Sequence, residues 1–225
     1  TLTRSVFSFS FAFSFVAARE AQTWSKIYYD IIKSEQCVPL GWTVNPNIAL
    51  VSAFSIHEDR AEAIRRGQEG FEFFAYALNA LVAQDTVPGR TDLWGEFVAK
   101  RGDKTDRLMA AANEQNFTRA AGIGTPDDMR RHLGALRDAG VDQIIFMQQA
   151  GRNRHADICQ SLELFAQTIM PEFKAELAAR EAAKAKELAP YVEAALKRKV
   201  RMQPLADQDI PVVRASVQKA VIAAA

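Results

Sequence analysis

Residues 5 to 15, SVFSFSFAFSF, alternate with a period of two. Phe7, Phe9, Phe11, Phe13 and Phe15 share one face, and Ser8, Ser10, Ala12 and Ser14 share the other. Bulky residues on one side and small ones on the other suit a β-strand in a sheet covered on both faces. Two other readings compete. Arg4 ahead of the stretch and Ala17-Ala18 behind it suit a secretory signal, but serines interrupt the apolar run and it holds no leucine. A membrane helix needs about 20 mainly apolar residues, more than this stretch supplies. The strand fits best.

Downstream the period lengthens. Residues 17 to 35 read as a helix with Trp24, Ile27, Tyr28, Ile31 and Ile32 on one side, ending before the turn residues Pro39 and Gly41. NPNIALVSAFSI, 45 to 56, reads as a second buried strand. Ser55 and Glu58 have capping-box spacing for the next helix, whose apolar stripe is Ile64, Phe71, Phe74, Leu78 and Leu81. Residues 83 to 103 form a polar excursion carrying Leu93, Trp94 and Phe97, of a kind often used as a lid or binding loop. A short helix near 104 to 114 and a brief strand around 119 to 123 follow.

In GIGTPDDMRRHLGALRDAG, Thr125 is placed as an N-cap and Pro126 as the first helical residue. Asp127 and Asp128 lie in the first turn, Met129, Leu133 and Leu136 form the stripe, and Gly140 stands at the stop. Val141 to Met147 read as a compact buried strand. His155 to Ile169 read as the last core helix, with Ile158, Leu162, Phe165 and Ile169 inward and Pro171 at its end. The order is β-α-β-α, excursion, β-α-β-α, then a charged, alanine-rich helical tail over 172 to 225 that Pro190 interrupts and that reads as solvated or partner-facing. Such alternation implies a parallel sheet with right-handed crossovers. Two α/β architectures meet it: a small doubly wound sheet, and the C-terminal half of a (β/α)8 barrel over residues 1 to 171. A chain opening inside a fully apolar strand favours the half-barrel and a missing first half.

Charge and cysteine content narrow the partners. The chain has 28 basic and 27 acidic residues, a net charge of +1, so nothing electrostatic points to nucleic acid or an anionic membrane. Cys37 and Cys159 are far apart and in no metal-binding spacing, which suits free thiols and a cytoplasmic location.

Residues 27 to 78 and 122 to 173 resemble the bacterial luciferase-like, flavin-dependent monooxygenases. Gly-Thr-Pro-Asp at 124 to 127, Ala-Gly-Val-Asp at 139 to 142 and the Pro171 ending carry the likeness in their order and spacing. The resemblance implies a TIM-type (β/α)8 barrel, with these strands at its fifth to eighth positions. It also implies reduced FMN supplied by a separate flavin reductase, dioxygen, and a small apolar organic substrate. F420 with hydride transfer is the nearest alternative, and a non-catalytic flavin-binding or dimerising half-barrel is another. A homo-oligomer is expected, since half a barrel leaves strand edges open. Under the resemblance Ser10 and Ala12 turn toward the barrel interior and the phenylalanines outward. The family's catalytic residues from the first half have no matching position here.

The remaining candidates stand where strands end, because barrel sites lie at those ends. Gly124 and Thr125 open a helix N-terminus, a ready anion site that would face a flavin phosphate; simple capping competes. Gln148 and Gln149, followed by Gly151, end a strand where amides can bond a flavin ring edge; an amide satisfied by backbone or water competes. His57 offers acid-base chemistry but suits a capping role better. His155 lies by Arg152 and Arg154, a small basic cluster. His132 reads as surface. Trp94 either closes over a substrate or packs on a neighbouring helix or subunit.

Overall fold

The mostly apolar run at 45 to 56 forms an almost continuous strand, β1 (Ala49–Ala53) and β2 (Ser55–Ile56), and the rest of the fold is arranged around it. These positions belong to a computed structural model that describes residues 17–110, 122–200 and 205–209. The Phe-rich stretch, with Ser10 and Ala12, lies outside the described residues. So do the expected strand residues 119 to 121 and most of the chain beyond 200.

The remaining elements are α1 (Ala18–Lys33), α2 (Arg60–Val82), α3 (Leu93–Lys100), β3 (Ile123–Gly124), α4 (Pro126–Asp138), β4 (Gln143–Met147), α5 (His155–Thr168) and α6 (Met170–Arg198). A 3-10 turn spans Asp207–Asp209. The chain is mixed α/β, mostly helical, with short parallel strands. Residues 107 to 110 are helical; the continuation expected to 114 lies outside the described residues.

β1 pairs in parallel with β4, from Ala49 opposite Gln143 to Ala53 opposite Met147. β2 pairs in parallel with β3, Ser55 opposite Ile123 and Ile56 opposite Gly124. The two partners use opposite edges. Ile48 O accepts from Gln143 N at 3.2 Å, whereas His57 N donates to Gly124 O at 3.2 Å. Residues of even and odd number in a strand turn their backbone groups to opposite sides. Among the described residues Ile56, again even, has no strand beside it beyond the end of β4. The Ser161 hydroxyl of α5 fills that place, donating to Ile56 O at 2.9 Å and accepting from Ile56 N at 3.3 Å.

Side chains confirm that the strand runs without a bulge. Leu50, Phe54 and Ile56 all face α4 and α5, packing with Leu136, Met129, Leu133 and Phe165. Val51 and Ala53 face the other way, onto Phe71 and Phe74 of α2. Helices therefore cover both faces of this strand, and the strands form two two-stranded parallel sheets, 49–53 with 143–147 and 55–56 with 123–124. A half-barrel is not shown among the described residues, whose short parallel strands are common to both architectures expected from the sequence.

Local signals at α4 are borne out. Thr125 is its N-cap, Pro126 lies in the first turn, and Met129, Leu133 and Leu136 are buried. Gly140 has φ 84°, and Val141 N returns to Leu136 O at 3.1 Å, so the helix ends in a left-handed glycine stop.

Other expectations are corrected. Asp59, not Ser55, caps α2, accepting from Ala61 N at 2.8 Å, while Ser55 stays in the strand and donates to Ala63 O. The buried side of α2 is one of small residues and rings, Ala63, Gly67, Gly70, Phe71, Ala75, Tyr76 and Ala80; Ile64 and Leu81 are exposed. On α1, Tyr28 and Ile32 are buried but Trp24, Ile27 and Ile31 are exposed. Leu162 of α5 is exposed. β4 is half exposed rather than buried, because it is paired along one edge only among the described residues.

The tail helix α6 continues through Pro190 and is not solvated all round. Leu188 packs with Tyr28, Ile32 and Ile48. Arg198 closes the seam by donating to Ser34 O and Cys37 O at 3.0 and 3.1 Å.

Candidate functional site

Parallel strands bring their carboxyl ends to one side, and in open α/β sheets ligands bind outside those ends where successive connections diverge. Here β1 pairs with β4 and β2 with β3, all in parallel. The ends in question are Ile56-His57, Gly124-Thr125 and Gln148 to Gly151.

Thr125 and Asp128 form a reciprocal capping box: Thr125 N donates to Asp128 Oδ2 at 3.0 Å, and Asp128 N donates to Thr125 Oγ1 at 3.3 Å. The Thr125 N–H, and then its hydroxyl and the cations of Arg60 and Arg131, hold the Asp128 carboxyl below its ordinary range. A Cβ at Gly124 would stand 2.6 Å from Asp128 Oδ2. The helix N-terminus thus already has its own carboxylate, and the geometry here is that of a cap.

Gln148 and Gln149 follow β4, half buried and exposed respectively. Neither side-chain amide has a hydrogen bond among the described residues, while Gln148 O accepts from Asn153 Nδ2 at 2.9 Å. Free amides of this kind fit a flavin ring edge. Gly151 has φ 55°, and a Cβ there would meet Trp94 at 2.9 Å and Gly70 at 3.2 Å. Gly70 approaches the same loop from α2, where a Cβ would lie 2.5 Å from Ala150 O. The excursion folds as α3 and lays Trp94 over this loop, with the Arg152 guanidinium 4.7 Å from its ring and Phe73 and Phe97 behind it. Trp94 therefore packs within the chain, on the carboxyl end of β4.

His57 accepts at Nδ1 from Asp59 N, 3.0 Å away, and so caps the turn into α2. His155 contacts Cys159 Sγ at 3.4 Å, one turn along α5. Among the described residues, no three His, Cys, Asp or Glu side chains could hold a metal ion.

Two polar groupings escaped the sequence reading. His132 is not on the surface: it turns onto the sheet, with Nε2 2.9 Å from Ser52 Oγ. Burial lowers its pKa from the ordinary value of 6.5. Ser52 is 3% exposed, which bars a substrate from its hydroxyl. The signal was present, since His132 shares its helix face with Met129, Leu133 and Leu136.

The second grouping lies at the amino ends of the strands. Asp142 accepts from Tyr29 OH at 2.5 Å and Ile48 N at 2.8 Å, and pairs with Lys184 at 3.1 Å. Lys184 also donates to Asn47 Oδ1 at 2.7 Å. Burial, and then the Asp142 carboxylate, push the Tyr29 phenol well up, so it remains a proton donor. Every member is partnered, and the cluster ties α1, β1, β4 and α6 together.

No helix among the described residues is long and apolar enough to cross a membrane. Neither a protein-family model nor a curated protein matches the chain. Among solved structures, one similar chain is the crystal structure of monooxygenase RslO1 from Streptomyces bottropensis, at 20% identity and a TM-score of 0.44. The match covers 70% of this chain, which spans 39% of that one. At that strength the likeness carries no argument about activity.

Proposed function

We propose that the chain is part of a flavin-dependent oxidoreductase of the luciferase-like kind, one that oxygenates a small apolar organic substrate with reduced FMN and dioxygen. The reading rests on the residues quoted from 122 to 173. One structural observation supports it: the Gln148 and Gln149 amides, just beyond the carboxyl end of β4, have no hydrogen bond among the described residues. The flavin would supply the electrons and activate dioxygen. The chain's share is narrower. Gln148 and Gln149 would orient the ring edge by hydrogen bonds, and Trp94, held by Phe73 and Arg152, would keep water from the loop after β4.

A fluorescence titration of the chain with FMN, and in parallel with F420, tests the proposal. Saturable FMN quenching, weakened about tenfold in Gln148→Ala/Gln149→Ala as two hydrogen bonds are lost, is the expected result. Saturation by F420 alone would move the assignment to hydride transfer. Saturation by neither would overturn it.

A further inference from the structure

Between α1 and α6, beside the Asp142 cluster, lies a cavity of about 380 Å³, and next to it, between α4, β4 and the junction of α5 with α6, a second of about 240 Å³. The smaller one is apolar: Leu133, Ile144, Phe146, Phe165, Met170 and Phe173 wall it, with the Phe146 and Phe165 rings edge to face at 5.2 Å. Its mouth is cationic. Arg137, Lys174 and Arg180 line it. Arg137 is engaged by Asp138 and Glu176. Lys174 and Arg180 are exposed and have no hydrogen bond or ion pair among the described residues. The carboxylate that also reaches the cavity, Asp142, is already bound by Tyr29, Ile48 N and Lys184, and so leaves those two cations unopposed.

We propose that this cavity binds an amphipathic anion, a medium-chain carboxylate whose tail lies against Phe146, Phe165 and Phe173 and whose head meets Lys174 and Arg180. Charge complementarity selects the sign of the head, and the ring walls select an apolar tail. At about 30 Å³ for each water-sized group, the space takes roughly eight of them, which suits the chain of octanoate. The site faces α4 and α6, is separate from the loops after the strands, and does not depend on the flavin reading.

Calorimetric titration of the whole chain with octanoate tests it, with octan-1-ol and octylammonium as the neutral and cationic comparisons. The expected result is saturable binding of one octanoate per chain, tighter than either comparison. Each methylene removed, down to hexanoate, should weaken it about fourfold. Lys174→Ala/Arg180→Ala should weaken octanoate about tenfold or more and leave octan-1-ol unchanged, with the folded circular dichroism spectrum intact because both side chains are exposed. Phe173→Ser should weaken both ligands. Absence of saturable octanoate binding overturns the proposal, as does equal binding of octylammonium or insensitivity to the double substitution.

Discussion

The two ends of the parallel strands are built on opposite plans. At the amino ends a single carboxylate, Asp142, gathers a phenol, a backbone N–H and an ammonium, and nothing in the cluster is left unpartnered. At the carboxyl ends the backbone is closed by local caps, Thr125 with Asp128 and His57 with Asp59, while the Gln148 and Gln149 amides have no hydrogen bond among the described residues. The α2 glycine and the Trp94 ring crowd the loop between them. A satisfied buried network holds elements together and offers nothing to a ligand; unspent donors can recognise one. The proposed flavin contacts accordingly lie at the end opposite the Asp142 cluster.

The strongest way to break this comparison is Asp142→Ala. Its side chain is 10% exposed, and its loss leaves the Lys184 ammonium and the Tyr29 hydroxyl facing a gap. Unfolding in urea should show a loss of about 3 kcal/mol, the scale of breaking a buried pair; a loss near zero would make the cluster ornamental. Next comes Gly70→Ala at the other end. The new methyl would lie 2.2 Å from Asn153 Oδ1, so the loop after β4 must move, at a cost of about 2 kcal/mol. That change should also weaken any ligand of Gln148 and Gln149, whereas Asp142→Ala should leave that ligand's affinity unchanged in the folded chain.

The smallest effect belongs to His132, between the two ends. Its folded pKa is depressed below 6.5, so the unfolded chain takes the proton first. Stability is therefore full above that value, falls as pH drops below it, and levels off once the folded imidazole is also charged. Urea midpoints at about pH 7.5 and about pH 5.5 should differ for this reason, and His132→Gln should reduce the difference. An unchanged pH dependence would leave His132 neutral to folding.

Several elements were legible from residues alone because their causes are local. Thr125-Pro126 and Gly140 delimit α4 through the needs of a helix's own unsatisfied ends, and the strand at 49–56 follows from its apolar run between polar boundaries. The exposed Trp24, Ile27 and Ile31 show where that logic stops. Periodicity gives a stripe, but which part of a stripe is covered depends on what packs beside it. On α2 the close-packed side uses glycine and alanine, which no search for bulky residues would pick.

The candidate site divides in the same way. Thr125 as a cap could be read from the chain, since its partner is three residues away. The Ser161 hydroxyl standing in for a strand beside Ile56, His132 on Ser52, and Trp94 on Gly151 all join residues distant in sequence, and no spacing rule reaches them. By itself the sequence determined the kind and order of α1, the strand at 49–56, α2, α4, β4 and α5, because hydrogen-bond closure and burial period act within a few residues. Only the tertiary structure decided that 49–53 pairs with 143–147 and 55–56 with 123–124, with helices on both faces. That choice is made by edges and layers meeting across the chain, to which a strand apolar on both sides is indifferent.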